Sequence, residues 1–188
     1  EVIGAAPPGS PNVFLINITP REQAEVAAFL ESRNDLQASP RLVPLVPARL
    51  LLVDGKPVEE IERGRERHNH PRHARQVTWI EARPADIQVR RGAWWTTGDA
   101  APAVSVSERA ATGLSVAPGA TLRWGSLGRE FDVRVASIHR FESERPGYDG
   151  DYIFNRAALA GLPAQWFGAV RLAPDKVSAC QREAYRRF

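Results

Sequence analysis

The densest grouping of side chains able to do chemistry is His68-Asn69-His70-Pro71-Arg72-His73, which holds three of the four histidines. Imidazoles this close together can bind a divalent metal. The spacing superficially matches hydrolytic zinc sites of the His-x-His-x-Asp-His type. Arg72 stands where the aspartate would be, however, and its fixed positive charge opposes a cation. Structural zinc takes four protein ligands and catalytic zinc three plus water, and no second cluster of recognisable spacing supplies the remainder. The segment reads as a polar loop, with adventitious metal binding by His68, His70 and His73 as the alternative.

Other reactive groupings are weaker. Gly125-Ser126-Leu127-Gly128 is not a G-x-S-x-G elbow and falls in a hairpin turn instead of a strand-to-helix turn. His139 follows a strand and could pair with a serine and an acid, but nothing in the pattern identifies those partners. Asp149-Gly150-Asp151 lacks the further oxygen ligands and the later glutamate of a calcium loop. Gly55-Lys56 is followed by Pro57, so no phosphate-binding G-x-x-x-x-G-K-[ST] loop exists. Five tryptophans lie mostly in strands or at their ends. Core packing is the default for them, with Trp94-Trp95 as a pair that could be partly exposed to ligand or lipid. No catalytic, cofactor-binding or metal-binding residue is assigned, and no cofactor is expected.

The elements that must carry these residues are bounded by composition. The 188 residues are 43% hydrophobic and 25% charged, which suits a folded domain and not a disordered chain. Cys180 is the single cysteine, so no disulfide scaffold is possible. It is expected on an apolar helix face. The 25 basic and 22 acidic residues are interleaved. The nearest approach to a basic stripe, Arg63-Gly64-Arg65-Glu66-Arg67 with Arg72 and Arg75, is diluted by Glu59, Glu60, Glu62 and Glu66, and no nucleic-acid partner is expected. No stretch reaches the roughly 20 apolar residues needed to span a bilayer. The chain opens on Glu1 and contains no methionine. A segment cut from something larger is therefore expected.

Along the chain, residues up to Pro11 read as a linker. Val13 to Ile18 is apolar on both alternating faces, the pattern of a central strand covered on both sides. Thr19-Pro20-Arg21-Glu22 starts a helix with a capping box. Leu42 to Val53 reads as an edge or bent strand broken by Pro44 and Pro47. Asp54-Gly55 turns the chain into Lys56-Pro57-Val58. Glu59 to Arg75 reads as a loop and Gln76 to Glu81 as a strand. Val104-Ser105-Val106 leads into a short helix that Ser105 and Glu108 would cap and Gly113 would stop. Thr121 to Trp124 and Glu130 to Ile138 form a hairpin, followed by a strand through Tyr152-Ile153-Phe154 and a one-turn helix capped by Asn155. Gln165 to Leu172 is a strand, and Pro174 to Phe188 an amphipathic helix with Val177, Cys180, Ala184 and Phe188 on one face. The order predicts an α+β fold interrupted by a β-rich insertion.

Several separated stretches resemble one family. They are Pro11-Asn12-Val13-Phe14-Leu15-Ile16-Asn17-Ile18, Val46-Pro47-Ala48-Arg49-Leu50, Asp54-Gly55-Lys56-Pro57-Val58, Val77-Thr78-Trp79 and Arg91-Gly92-Ala93-Trp94-Trp95. Val104-Ser105-Val106, Gly113-Leu114, Pro118-Gly119 and Phe131 to Ser137 follow in order. Together they are similar to the large periplasmic domain of FtsX-like ABC transporter permeases of the YbbP type, and more broadly to the MacB-like periplasmic core domain. The chain departs from the family pattern at His73-Ala74-Arg75-Gln76 and between Tyr148 and Asn155, which is polar where an apolar strand is usual.

The resemblance implies a periplasmic domain of an inner-membrane protein, with a Porter-like βαβ-type subdomain (11–90 plus 164–188) and an inserted β-rich subdomain (91–163). It further implies a cytoplasmic ABC ATPase partner, coupling of ATP hydrolysis to periplasmic movement, and export or extraction of hydrophobic or lipid-linked cargo. A periplasmic lysophospholipase-like or thioesterase partner is implied for the YbbP type. No catalytic residue carries over. A secreted or periplasmic binding or adaptor module is the alternative, and an enzyme using the histidine loop or His139 a more distant one.

Overall fold

The computed structural model describes residues 11–62, 74–141 and 150–188. In chain order the elements are β1 (Val13–Ile18), α1 (Gln23–Glu31), β2 (Arg41–Val53), β3 (Lys56–Pro57), α2 (Val58–Glu62), β4 (Arg75–Trp79) and β5 (Ile87–Gly92). Then come β6 (Ala103–Ser107), α3 (Glu108–Leu114), β7 (Thr121–Ser126), β8 (Arg129–Phe141), β9 (Tyr152–Phe154), a single 3-10 turn (Arg156–Leu159), β10 (Gln165–Val170) and α4 (Pro174–Arg187). The fold is α+β. It divides into two compact units, Glu1–Pro44 with Ala164–Phe188, and Leu45–Pro163.

In the first unit β1 runs antiparallel to β10, with Val13 opposite Val170 and Phe14 opposite Ala169. Val13 and Val170 lie opposite one another on one face, and the register shift between Leu15 and Ile18, where Asn17 has a left-handed φ of 58°, brings Ile18 back to it. There Val26, Phe29 and Leu30 of α1 and Cys180 of α4 complete a core with Leu172. Val177 and Ala184 pack against it, as the helical spacing predicts, and the Phe188 ring meets Phe29 edge-on. Burial pushes the Cys180 thiol above its ordinary pKa. The reading of β1 as a central strand covered on both sides is corrected. β1 stands at the end of the strand order, and Phe14 and Ile16 are 49% and 67% exposed. Apolar side chains on both faces signalled burial on both. The helical residues of the core meet only the Val13 face, while Phe14 stacks on Phe167.

The expected start of α1 is present in altered form. The Glu22 carboxylate accepts hydrogen bonds from both the Thr19 N–H and the Thr19 hydroxyl, which holds that carboxyl below its ordinary pKa. A turn precedes the regular helix, which begins at Gln23. Arg33, just past the helix, reaches both Asp35 and Glu183 and lies over the Phe29 ring, tying α1 to α4.

In the second unit the strand pairings close on themselves. β2 pairs with β4, β4 with β9, β9 with β6, β6 with β8, β8 with β7, and β7 with β2 again. The result is a ring of six strands. Small closed sheets fill their interior with side chains. Here Trp124, Tyr152 and Phe154 are at most 2% exposed, and the tryptophan ring meets both partners edge-on at 4.8 and 5.3 Å between centroids. Val46, Leu50, Leu122, Val133 and Val135 are equally buried. Tyr152 and Phe154 share one face of β9, and Ile153, on the other, joins Ile87, Trp95 and Ala103 in a separate cluster.

Four further expectations differ from what is observed. Leu42 to Val53 is part of one continuous strand lying between partners, pairing with β4 at 46–48, where Pro47 stands opposite Gln76, and with β7 at 49–53. Glu59 to Glu62 belongs to the short helix α2 and not to a loop. Ser107, not Ser105, caps α3, accepting from the Ala110 N–H, and Ser115 in left-handed backbone ends it. The residues Tyr152 to Asn155, polar by comparison with the family pattern, are all buried. β5 was not foreseen. The compact units divide in the chain between Pro44 and Leu45, and β2 and β4 pair within the ring.

Turn chemistry follows the backbone signs. Asp54 and Gly55 have φ of 47° and 78°, as do Leu127 and Gly128 at 45° and 82°, which suits the twist of two-residue hairpins. Gly92 has a stricter reason to be glycine. Between β6 and β8 the register skips Ala136, because Val104 faces Val135 while Ser105 faces Ser137. The bulged Ala136 carbonyl accepts the Ala93 N–H, and a Cβ on Gly92 would lie 2.2 Å from that oxygen. Gly98 shares a positive φ but has open space around it. Gly92→Ala should therefore cost about 3 kcal/mol or more, combining backbone strain with a steric clash. Gly98→Ala should cost only about 1–2 kcal/mol. Urea denaturation followed by tryptophan fluorescence measures both, and equal losses would refute the close-approach argument.

Candidate functional site

The bulge at Ala136 fixes which way the next polar residues point. Residues directly opposite across a ladder share a face, so Ser105 lies with Ser137, and Ser107 with His139, on the face opposite the aromatic interior. Ser105 is also opposite Ile153, which faces away from that interior. Ser105, Ser137 and His139 are all 0% exposed. Burial of this kind demands internal partners for every polar atom.

The partners form a chain. His139 Nε2 lies 2.9 Å from the Gly150 carbonyl, which can only accept, so Nε2 carries the proton. Burial lowers the His139 pKa against the opposing effects of the Gly150 carbonyl and Asp151, so the neutral ring is favoured and Nδ1 is an acceptor. The Ser105 hydroxyl, 2.8 Å away, donates to Nδ1. In the 2.7 Å contact between hydroxyls, Ser137 then donates to Ser105. The His139 ring also meets Phe141 edge-on, and Gly150 sits so close to that ring that a Cβ would fall 2.8 Å from it.

Beside this chain lies Asp151, 7% exposed. Its carboxylate accepts from the Ser107 hydroxyl at 2.6 Å and from Arg109 at 2.7 Å, and Arg75 is 3.6 Å away. Its carbonyl accepts the Ser107 N–H. Ser107 thus caps α3 and ties it to β9 through one side chain. The Arg75 guanidinium lies over the Tyr152 ring.

A serine hydroxyl 2.8 Å from an imidazole has the spacing of a nucleophile and its base. Its surroundings suit a brace instead. No solvent reaches either group, the orienting partner is a neutral carbonyl, and the serine proton is committed to the ring. Sequence reasoning weighed His139 without finding Ser105 or Ser137. The signal that could have found them is the alternation of Ser105 and Ser107 within an otherwise apolar strand.

The remaining weighed residues are spread through the structure. His68, His70, His73 and Asp149 lie outside the described residues. Among the described residues, no three His, Cys, Asp or Glu side chains are grouped to hold a metal ion. Ser126 is buried at the end of β7 and donates to the Pro47 carbonyl. Trp95 is buried and Trp94 half-buried, and their indole N–H groups donate to the carbonyls of Ile80 and Glu81, so the pair pins the 80–81 segment. The face that Phe14 and Ile16 leave exposed on β1 is an apolar surface that sequence reasoning missed.

Asp151 makes a direct test of this cluster. Asp151→Asn removes a buried charge that accepts from Ser107 and Arg109 and should destabilise the second unit by about 2 kcal/mol. Asp132→Asn, which breaks the exposed pair with Arg123, should change stability little. Chemical denaturation of both variants checks this, and comparable losses would show that the buried position of Asp151 does not matter.

No protein-family model matches the chain. It is 35% identical over 167 residues to the uncharacterized ABC transporter permease YbbP of Escherichia coli (strain K12), a match that covers 88% of this chain and 19% of that protein. The chain therefore spans about a fifth of that relative's length. Among solved structures it is similar to a permease-protein domain from Porphyromonas gingivalis, with TM-score 0.44 and 11% identity over 92% of this chain and 76% of that one. It is likewise similar to the periplasmic region of MacB from Actinobacillus actinomycetemcomitans, with TM-score 0.44 and 13% identity over 93% and 77%.

Proposed function

We propose that this chain, which belongs with the YbbP-type ABC transporter permeases, forms the periplasmic part of such a permease and works as a non-enzymatic mechanical or cargo-handling element. The observation that carries the reading is the 35% identity extending through 88% of the chain, which is too long to fall within either compact unit alone. Two features of the molecule support it. Among the described residues no helix is long and apolar enough to cross a membrane. The Ser105–His139 contact is closed to solvent and held by a carbonyl, which suits support and not turnover.

In this reading the membrane helices and the ATP-hydrolysing subunit lie in other polypeptide segments, and the hydrolysis is cytoplasmic. Helix movement driven by ATP is passed to the two units, and the transported material is hydrophobic or lipid-linked. A lysophospholipase-like or thioesterase protein is a candidate periplasmic partner.

Location is tested in intact cells with the full-length protein. Lys56 is exposed at the start of β3, just after the Asp54–Gly55 turn, and Cys180 is buried. Lys56→Cys should react with a membrane-impermeant maleimide once the outer membrane alone is permeabilised. Labelling only after inner-membrane lysis would place this chain in the cytoplasm and overturn the reading. Association is tested by purifying the full-length protein in detergent, where a stoichiometric ABC ATPase should accompany it. A protein that fractionates without membranes would favour the adaptor alternative.

A further inference from the structure

We propose that the tight turn between β7 and β8 is a docking tip, and that Leu127 anchors it in an apolar pocket of a second, different protein. Four non-glycine residues among those described have a left-handed φ, namely Asn17, Asp54, Ser115 and Leu127. Asparagine and aspartate visit that region readily, whereas a bulky apolar residue there is an outlier. A two-residue turn of this kind prefers Asn, Asp or Gly at its first position. The turn between β2 and β3 shows the ordinary solution on nearly the same backbone. Asp54 and Gly55 take φ of 47° and 78°, and the Asp54 carboxylate accepts the Thr121 N–H. Leu127 and Gly128 take 45° and 82°, yet the leucine is 67% exposed. Its backbone is strained and water meets most of its side chain. Neither the turn nor the core accounts for a leucine at this position.

The mount is rigid. β7 and β8 stay paired up to the turn, with Gly125 opposite Glu130 and Ser126 opposite Arg129. The buried Ser126 hydroxyl donates to the Pro47 carbonyl of β2, and the Arg129 side chain donates to the Gly161 carbonyl. A tip held this way needs little ordering on binding, which is the property of an anchor.

The surroundings say what the tip fits. Arg49 and Glu130 stand opposite Gly125 on the two neighbouring strands, and both are exposed. Half-buried Leu51 covers Gly125, so close that a Cβ on the glycine would lie 3.2 Å from it. An apolar knob near an apolar floor, ringed by Arg49, Arg129 and Glu130, matches a protein pocket whose rim carries both signs of charge. A membrane surface is a poorer match, because segments that lie on bilayers combine basic residues with a broad apolar face. Nucleic acid would be repelled by Glu130 and would leave the leucine unused.

The test begins with the 188-residue chain. Leu127→Asn should raise the urea midpoint of unfolding, since asparagine suits the turn. A lowered midpoint would show that Leu127 supports the fold and would overturn the proposal. In intact cells the full-length protein then carries the photocrosslinker p-benzoylphenylalanine at position 127. One discrete protein adduct is expected on irradiation, and none with the crosslinker at position 56 beside the Asp54–Gly55 turn. Lipid adducts, adducts to a second copy, the same adduct from position 56, or no adduct overturn it. The adduct partner, identified by mass spectrometry and purified, should bind the native full-length protein at least about tenfold more tightly than Leu127→Asn. Leu127→Met keeps the apolar bulk and should stay within about threefold of native affinity. Equal affinities for Leu127→Asn and the native protein would refute the anchor. Should the crosslinker disturb the turn, it moves to the exposed Glu130 position, with the same expected and refuting results.

Discussion

Closure of the six-strand ring is the constraint on which the rest of the second unit depends. An open sheet of these strands would leave two edges of unpaired backbone groups, and closure removes both. It also dictates composition. Tyr152 and Phe154 must point inward together with Trp124, which leaves Ile153, the residue between them, to make a separate apolar contact outside with Ile87 and Trp95. Three consecutive residues thus serve two cores, and all three are buried. β2 and β8 are each thirteen residues long and change partners along their length, β2 from β4 to β7 and β8 from β7 to β6, which lets six strands close where shorter ones would leave gaps.

A second constraint follows from β8 passing from β7 to β6 and β5. The extra residue at Ala136 bends the strand and shifts register, as bulges do in closed sheets. Everything after it changes sides. Val133 and Val135 face the interior, but Ser137 and His139 face outward beneath Phe141 and the segment carrying Gly150. Gly92 is required because β5 crosses the bulged carbonyl at close range. The polar chain of Ser137, Ser105 and His139 is then the means by which a register shift in the middle of a buried wall keeps its polar atoms satisfied.

What could be read from sequence was local. The α4 helix is fully written in its spacing, since Val177, Cys180, Ala184 and Phe188 recur at helical intervals and one neighbour, Phe29, explains the last of them. The β7–β8 hairpin is equally clear from Phe131, Val133 and Val135 alternating with Asp132 and Arg134. What failed depended on partners distant in the chain. Ser105 looked like a helix cap because its hydrogen-bonding partner is 34 residues away at His139. Pro47 looked like a strand breaker because nothing local reveals that the strand pairs on through it, opposite Gln76 of β4 and then with β7. β1 looked doubly covered because Phe14 and Ile16 are as apolar as the residues that face the helices. Recognition of the family came from a string of short motifs, several of them at turns and strand starts such as Asp54-Gly55 and Gly92, where backbone geometry restricts the choice of residue more than packing does.

The two units differ in a way that bears on the proposed role. The ring is closed, filled by large aromatic side chains and braced by buried polar contacts, so a load applied to one strand is shared by strands paired on both sides. The first unit ends in β1, whose Phe14 and Ile16 remain exposed on a face its helical core residues do not reach. Catalysis would ask for the reverse of what the ring offers, namely an accessible nucleophile with its base and an oxyanion site. The Ser105 hydroxyl and the His139 ring stand at a catalytic distance, but their protons and lone pairs are committed to holding β6, β8 and the start of β9 together. A residue pair at a catalytic distance here serves as internal support.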